Sequence, residues 1–138
     1  MKKQTGIWID SAKAFIVTFA DGTHDFTEVE SGIENRIHHQ GEGEKGSFFG
    51  SQHINNEKTL DAKKMAQVDL FLQKVLDYVK DVDELFVFGP AEVKNLLQQK
   101  IESGKTIDRG ADKLKSVLVA DAMTKNQIVA MVKDFYKL

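Results

Sequence analysis

The run Leu85-Phe86-Val87-Phe88 limits the fold of this 138-residue chain more than any other segment. Four consecutive apolar residues closed by Gly89-Pro90 are the pattern of a strand buried on both faces. Ahead of it, Met65, Val68, Leu72, Val75, Leu76 and Val79 recur at three- and four-residue steps, the stripe of an amphipathic helix. Behind it, Pro90 is expected in the first turn of a second helix, where its missing N–H costs nothing. Val93, Leu96, Leu97 and Ile101 form the apolar side of that helix. A doubly covered strand flanked by helices belongs to a partly parallel sheet, since strand–helix–strand units return the chain in the same direction.

The chain before residue 40 reads as a meander. Gly6-Ile7-Trp8-Ile9 and Ala14-Phe15-Ile16-Val17-Thr18-Phe19 are rich in β-branched and aromatic residues. Asp10-Ser11-Ala12-Lys13 suits a tight turn between them, and Asp21-Gly22 marks a hairpin, because such turns need positive φ. A third strand is expected around Phe26 to Glu30, with a continuation through Arg36-Ile37-His38 left open.

Beyond the second helix, a polar loop from Ser103 to Lys113 precedes an apolar run, Ser116-Val117-Leu118-Val119, read as another buried strand. The last helix carries the strongest local signature. Thr124 and Gln127 match a capping box, and Met123 and Ile128 occupy the two positions of a hydrophobic staple. Its apolar stripe is Ile128, Met131, Val132 and Phe135, while Trp8, Phe86 and Phe88 are assigned to the core. The order βββαβαβα implies an α/β fold, a mixed five-stranded sheet with helices on its faces, in a ribonuclease-H-like arrangement. Chain length fits one domain over residues 1–138.

Composition removes several function classes. The absence of cysteine excludes disulfides, thiolate metal sites and cysteine nucleophiles. No apolar stretch resembles a signal core or a membrane span, so a cytoplasmic protein with no membrane partner is expected. With a formal net charge of −2, bulk attraction to nucleic acid is excluded. One stretch is locally basic. Lys94, Lys100, Lys105, Arg109, Lys113 and Lys115 outnumber Glu102, Asp108 and Asp112 there, either as a solvated surface or as a phosphate-binding one.

From Gln40 to about Asn56 the pattern breaks. Gly41, Gly43, Gly46 and Gly50 alternate with polar residues, and no period emerges. A polar insert of this length in a compact domain is functional or disordered. Phe48 and Phe49 in its middle either anchor it or meet a partner, so a homo-oligomer or another protein contact is an alternative role.

In order, Gly6 to Asp10 with Lys13-Ala14, Glu30-Ser31-Gly32, His38-His39 before the Gly-rich loop, Leu85 to Pro90, and Thr124 to Val129 resemble a known family. They resemble the middle domain of eukaryotic- and archaeal-type peptide-chain release factors and of Pelota. The chain is similar above all to small standalone bacterial proteins described as translational machinery proteins. The resemblance implies association with the ribosome, rRNA or tRNA. In release factors the loop carries Gly-Gly-Gln, whose glycines let the backbone approach the peptidyl ester closely. The corresponding residues here are Gly50, Ser51 and Gln52. Because Ser51 replaces the second glycine, the resemblance implies RNA binding rather than independent catalysis, with Gln52 the one catalytic candidate. The implied RNA-binding set is His38, His39, Lys45, Gly50, Ser51, Gln52, Lys105 and Arg109.

Other chemistry is thinly supported. Asp10 stands where ribonuclease-H-like nucleases place a metal ligand, and Asp121 follows another strand at the same sheet end; Asp69 is a third carboxylate to consider. The neighbouring strand ends in Gly89-Pro90 instead of an acid, so Asp10 is as readily a turn residue. His38 and His39 are adjacent and point to opposite faces of a strand, and His24 and His53 lie apart from them. No cofactor is expected.

Overall fold

A computed structural model describes residues 2–32, 65–90 and 92–138. Five strands form one sheet: β1 (Gln4–Ile9), β2 (Lys13–Ala20), β3 (Thr23–Glu30), β4 (Glu84–Gly89) and β5 (Leu114–Val119). Four helices are described: α1 over residues 65–77, α2 (Val93–Glu102), the one-turn α3 (Gly110–Lys113) and α4 (Lys125–Phe135). Strand order across the sheet is β3-β2-β1-β4-β5. The pairs β1–β2 and β2–β3 are antiparallel, and β1–β4 and β4–β5 are parallel. The expected mixed α/β sheet and element order are therefore present, with α3 as an addition.

The meander closes where local chemistry dictates. Asp21 and Gly22 both adopt positive φ, 55° and 81°, the pair of values a two-residue hairpin needs to match strand twist. At the other turn, the Asp10 carboxylate accepts the N–H groups of Ala12 and Lys13 at 2.8 and 2.9 Å. That arrangement substitutes a side chain for a backbone acceptor and holds the β1–β2 connection.

β4 lies at the centre of the packing because its alternate residues serve two cores. Leu85 and Val87 join Ile7, Ile9, Leu76 and Leu97 on the face covered by α1 and α2. Phe86 and Phe88 join Trp8, Val17, Ile128 and Val132 on the face covered by α4. On the α4 face Phe86 stacks against Phe135, with centroids 4.0 Å apart and planes within 6°. Each fully buried side chain of this size contributes about 1.5–3 kcal/mol relative to exposure, so both faces must be covered for β4 to persist. Trp8 is also in this core, and its indole N–H donates to the Asp121 carbonyl at 3.1 Å.

The capping box of α4 forms as its residues imply. Thr124 Oγ1 accepts the Gln127 N–H at 3.2 Å, and Gln127 Oε1 accepts the Thr124 N–H at 2.9 Å. Met123 and Ile128 both pack in the same core, as a staple requires.

Four expectations change. Pro90 stands outside the first turn of α2, which begins at Val93 with Glu92 as its N-cap, so the proline ends β4 instead of opening the helix. The polar loop of residues 103–113 contains α3 and fully buries Ile107. Among the described residues β5 is an edge strand rather than a buried one, with Val119 74 % exposed and Leu118 42 % exposed. In α1 the buried stripe includes Phe71, while Met65 lies exposed at the first described turn. A continuation of β3 through residues 36–38 lies outside the described residues.

Candidate nucleic-acid interface

Residues 33–64 join the described body at two points, and the geometry of those points defines the candidate interface. The first is the end of β3. Ser31 N–H donates to the Ala12 carbonyl at 2.9 Å, which ties the strand end to the Asp10–Lys13 turn. Lys74 of α1 reaches the Glu30 carbonyl at 3.5 Å and links that strand end to the helix.

The second point is the start of α1. Asp69 accepts the Lys100 ammonium at 2.7 Å, and Thr106 donates its hydroxyl to Gln73 at 3.2 Å. These two bonds clamp α1 to the end of α2 and to the residues after it. Between them runs a groove lined by Met65, Val68 and Leu72 on one side and by Leu96, Ser103 and Lys105 on the other. Lys105 is thus brought beside the helix turn into which residues 33–64 lead. Its side chain is exposed, and its backbone N–H donates to Ser103 Oγ at 3.3 Å.

Arg109 takes a different position. It adopts the left-handed conformation, φ 58° and ψ 36°, which directs the chain into α3. Its guanidinium donates twice to one oxygen of Asp112, at 3.2 and 3.3 Å, in an exposed pair. Exposed pairs of this kind hold little free energy, so an incoming phosphate can displace the carboxylate. Arg109 does not line the Lys105 groove.

Three of the remaining basic residues are engaged locally, and Lys113 is half-buried at the end of α3. Lys94 is buried at the start of α2 and is partnered, so it belongs neither to a solvated surface nor to an open phosphate-binding one. Lys100 is held by Asp69, and the Lys115 ammonium donates to the Asp112 carbonyl at 3.0 Å. The exposed basic surface near the start of α1 is thereby narrowed to Lys105, with Arg109 four residues beyond.

His38, His39, Lys45, Gly50, Ser51 and Gln52, with Phe48 and Phe49, lie outside the described residues. Among the acidic candidates, Asp10 spends one carboxylate oxygen on the turn, Asp69 is paired with Lys100, and Asp121 is exposed. Among the described residues, no three His, Asp or Glu side chains are gathered in a group able to hold a metal ion. None of the described helices is long and apolar enough to cross a membrane.

The fold is similar to that of a translation termination factor. The crystal structure of an archaeal translation termination factor superposes with a TM-score of 0.59 and 13 % identity. The match covers 99 % of this chain and 35 % of that one, so the present chain spans about a third of the factor's length. A structure described as an archaeal protein aligns over 98 % of this chain and 34 % of its own, at 16 % identity and a TM-score of 0.48. No family model matches the sequence, and no curated protein matches it. At this identity the likeness to the termination factor is one of fold, and it agrees with the release-factor-like arrangement expected from the order of motifs.

Sequence reasoning missed the clamp around α1. Asp69, Gln73, Lys100 and Thr106 are ordinary helix-surface or loop residues in sequence, and only the crossing of α1 with α2 pairs them. The i to i+4 spacing of Asp69 and Gln73 was the one available signal, since it puts both on one side of α1.

Proposed function

We propose that this protein is a translation-associated module that binds ribosomal RNA or tRNA and has no catalytic activity of its own. The observation that carries this reading is the likeness of fold along 99 % of the chain to a translation termination factor. The contacts are assigned to residues 38–52, with His38, His39, Lys45, Gly50, Ser51 and Gln52 meeting RNA, and to Lys105 and Arg109 on the body. Lys105 supports the assignment because it stands beside the start of α1, the helix into which that segment leads. On this reading the chain acts as a single domain in the cytoplasm. Ser51, in place of a second glycine, restricts the backbone and argues against a close approach to a peptidyl ester.

The test is co-sedimentation with ribosomes across a salt series, for the wild type and for a variant with residues 41–52 replaced by a Gly/Ser linker. Pelleting that is strongest at low salt and reduced in the linker variant is expected, because phosphate binding releases counterions. Absence of association at the lowest salt would overturn the reading.

A further inference from the structure

The two edges of the sheet are built differently. β3, at one edge, exposes His24, Asp25, Glu28 and Glu30, and charged side chains along an edge discourage the addition of another strand. β5, at the other edge, carries a bulge opposite Leu85 and Phe86, where Lys115 sits, and that device blunts only the start of the strand. From Val117 to Val119 the strand is regular and apolar, and among the described residues no strand pairs with its outer side.

The direction of the free backbone groups follows from one bond. Ala120 N–H donates to the Gly89 carbonyl at 2.9 Å, so Ala120 and Leu118 point their backbone groups at β4. By alternation Val117 and Val119 point theirs to the open side. Any strand added there must place its own outward residues opposite these two.

We propose that β5 pairs antiparallel with β5 of a second copy of this chain, about a two-fold axis at Leu118. The sequence of the edge is self-complementary in that register. Leu118 faces its own equivalent, and Val117 faces Val119 of the partner subunit. Ser116 faces Ala120 of the partner subunit, and at each end of the pairing the bulge residue Lys115, its ammonium leaving the Asp112 carbonyl, reaches Asp121 of the partner subunit just past the end of β5. The outward backbone groups of Val117 and Val119 then meet in hydrogen-bonded pairs, roughly four bonds in all, and the two sheets become one. Sliding the partner by two residues keeps the backbone pairing and puts Lys115 opposite Val119 of the partner subunit, which removes both charge pairs. Charge complementarity therefore selects the first register, as isologous interfaces require each patch to match itself. The exposure of Val119 and Leu118, 74 % and 42 %, is the apolar surface this pairing covers. The interface lies at the opposite edge of the sheet from β3, and the inference stands whether or not the chain binds RNA.

Sedimentation velocity of the full chain, from micromolar to near-millimolar concentration, tests it with four variants. The wild type is expected to show a monomer–dimer equilibrium. Val119→Lys should abolish the dimer while keeping the native circular dichroism, since the side chain it replaces is exposed. Lys115→Asp and Asp121→Lys should each weaken the dimer roughly tenfold, because two attractive cross-strand pairs become repulsive. An equimolar mixture of those two variants, and the double variant Lys115→Asp/Asp121→Lys, should recover it. A wild type that stays monomeric throughout, whether because residues 33–64 cover the strand or for another reason, overturns the proposal. So does a dimer that ignores Val119→Lys, or one that ignores the charge reversals.

Discussion

Val132 of α4 sits directly above Gly6 of β1, in the volume that a side chain at position 6 would fill. The close approach explains how one helix can cover a face bearing Trp8, Phe86 and Phe88: the large residues flank the helix, and the smallest residue of β1 lies beneath it. Tyr136 completes the seal by donating its hydroxyl to the Thr5 carbonyl at 2.8 Å. The α4 face is thus closed by one glycine, one valine and one buried hydroxyl, which makes it testable by small substitutions.

Gly6→Ala inserts a methyl group into Val132 and should destabilise the protein by about 1–3 kcal/mol through overpacking. Val132→Ala alone should cost about 2 kcal/mol by opening a cavity. In the double variant the new methyl occupies the space vacated at position 132, so the cost should fall well below the sum. Denaturant unfolding of the three proteins measures the coupling. Strict additivity would show that the two residues do not share this space.

Tyr136 links the same face to alkaline pH. Burial, with the nearby negative charge of Glu84, pushes its phenol well above the ordinary value of 10.0. A folded-state pKa above the unfolded one stabilises the fold fully below about pH 10, and that contribution is lost as pH rises beyond the unfolded value. Melting temperature should therefore fall across the alkaline range for the wild type. Tyr136→Phe should lower stability near neutrality by about 1 kcal/mol, since the Thr5 carbonyl loses its donor, and should flatten the alkaline decline. An unchanged alkaline slope would assign the decline to other groups.

Thr124→Ala removes the acceptor that closes the first turn of α4 and should cost about 1 kcal/mol. Thr124→Ser keeps a hydroxyl in place and should cost much less. The comparison is made by thermal unfolding, and equal effects of the two variants would show that the methyl group, not the cap, is what matters.

The parts of this fold legible in the sequence are those in which one residue type has a single physical use. Leu85 to Phe88 reads correctly because only a doubly covered strand needs an apolar side chain at every position. Asp21-Gly22 and the Thr124–Gln127 box read correctly because each satisfies backbone groups within a few residues of itself. Val117-Leu118-Val119 has the same appearance as β4 and a different fate, since strand order, which depends on long-range pairing, leaves it at an edge. Ile107 escaped notice because a single apolar residue among polar neighbours has no period, although the end of α2 and the sheet bury it completely. For the candidate interface, the sequence picked Lys105 and Arg109 alike from their charge. The fold separates them, setting Lys105 in the groove beside α1 and tying Arg109 to Asp112. His38, His39 and the Gly50-Ser51-Gln52 stretch rest on the resemblance, and they lie outside the described residues.

That separation yields a graded prediction for RNA binding. Removing one phosphate-binding charge should reduce the slope of log affinity against log salt by roughly 0.7–0.9. Lys105→Ala should show this reduction, because its exposed ammonium has only phosphate to gain beside the start of α1. Arg109→Ala should show a smaller one, since its guanidinium must first leave Asp112 and part of the attraction is already spent within the chain. Lys80→Ala serves as the control: Lys80 is exposed just past the opposite end of α1 and pairs with Asp77 at 3.8 Å. Its slope should match the wild type. The measurement is ribosome co-sedimentation at several salt concentrations for the four proteins. If the slopes of the Lys105 and Arg109 variants coincide with the wild type while binding persists, the phosphate-binding groups lie elsewhere on the chain. An order with Lys105 first, Arg109 second and Lys80 unchanged follows from position relative to the start of α1 combined with ion pairing, and net charge alone would not produce it.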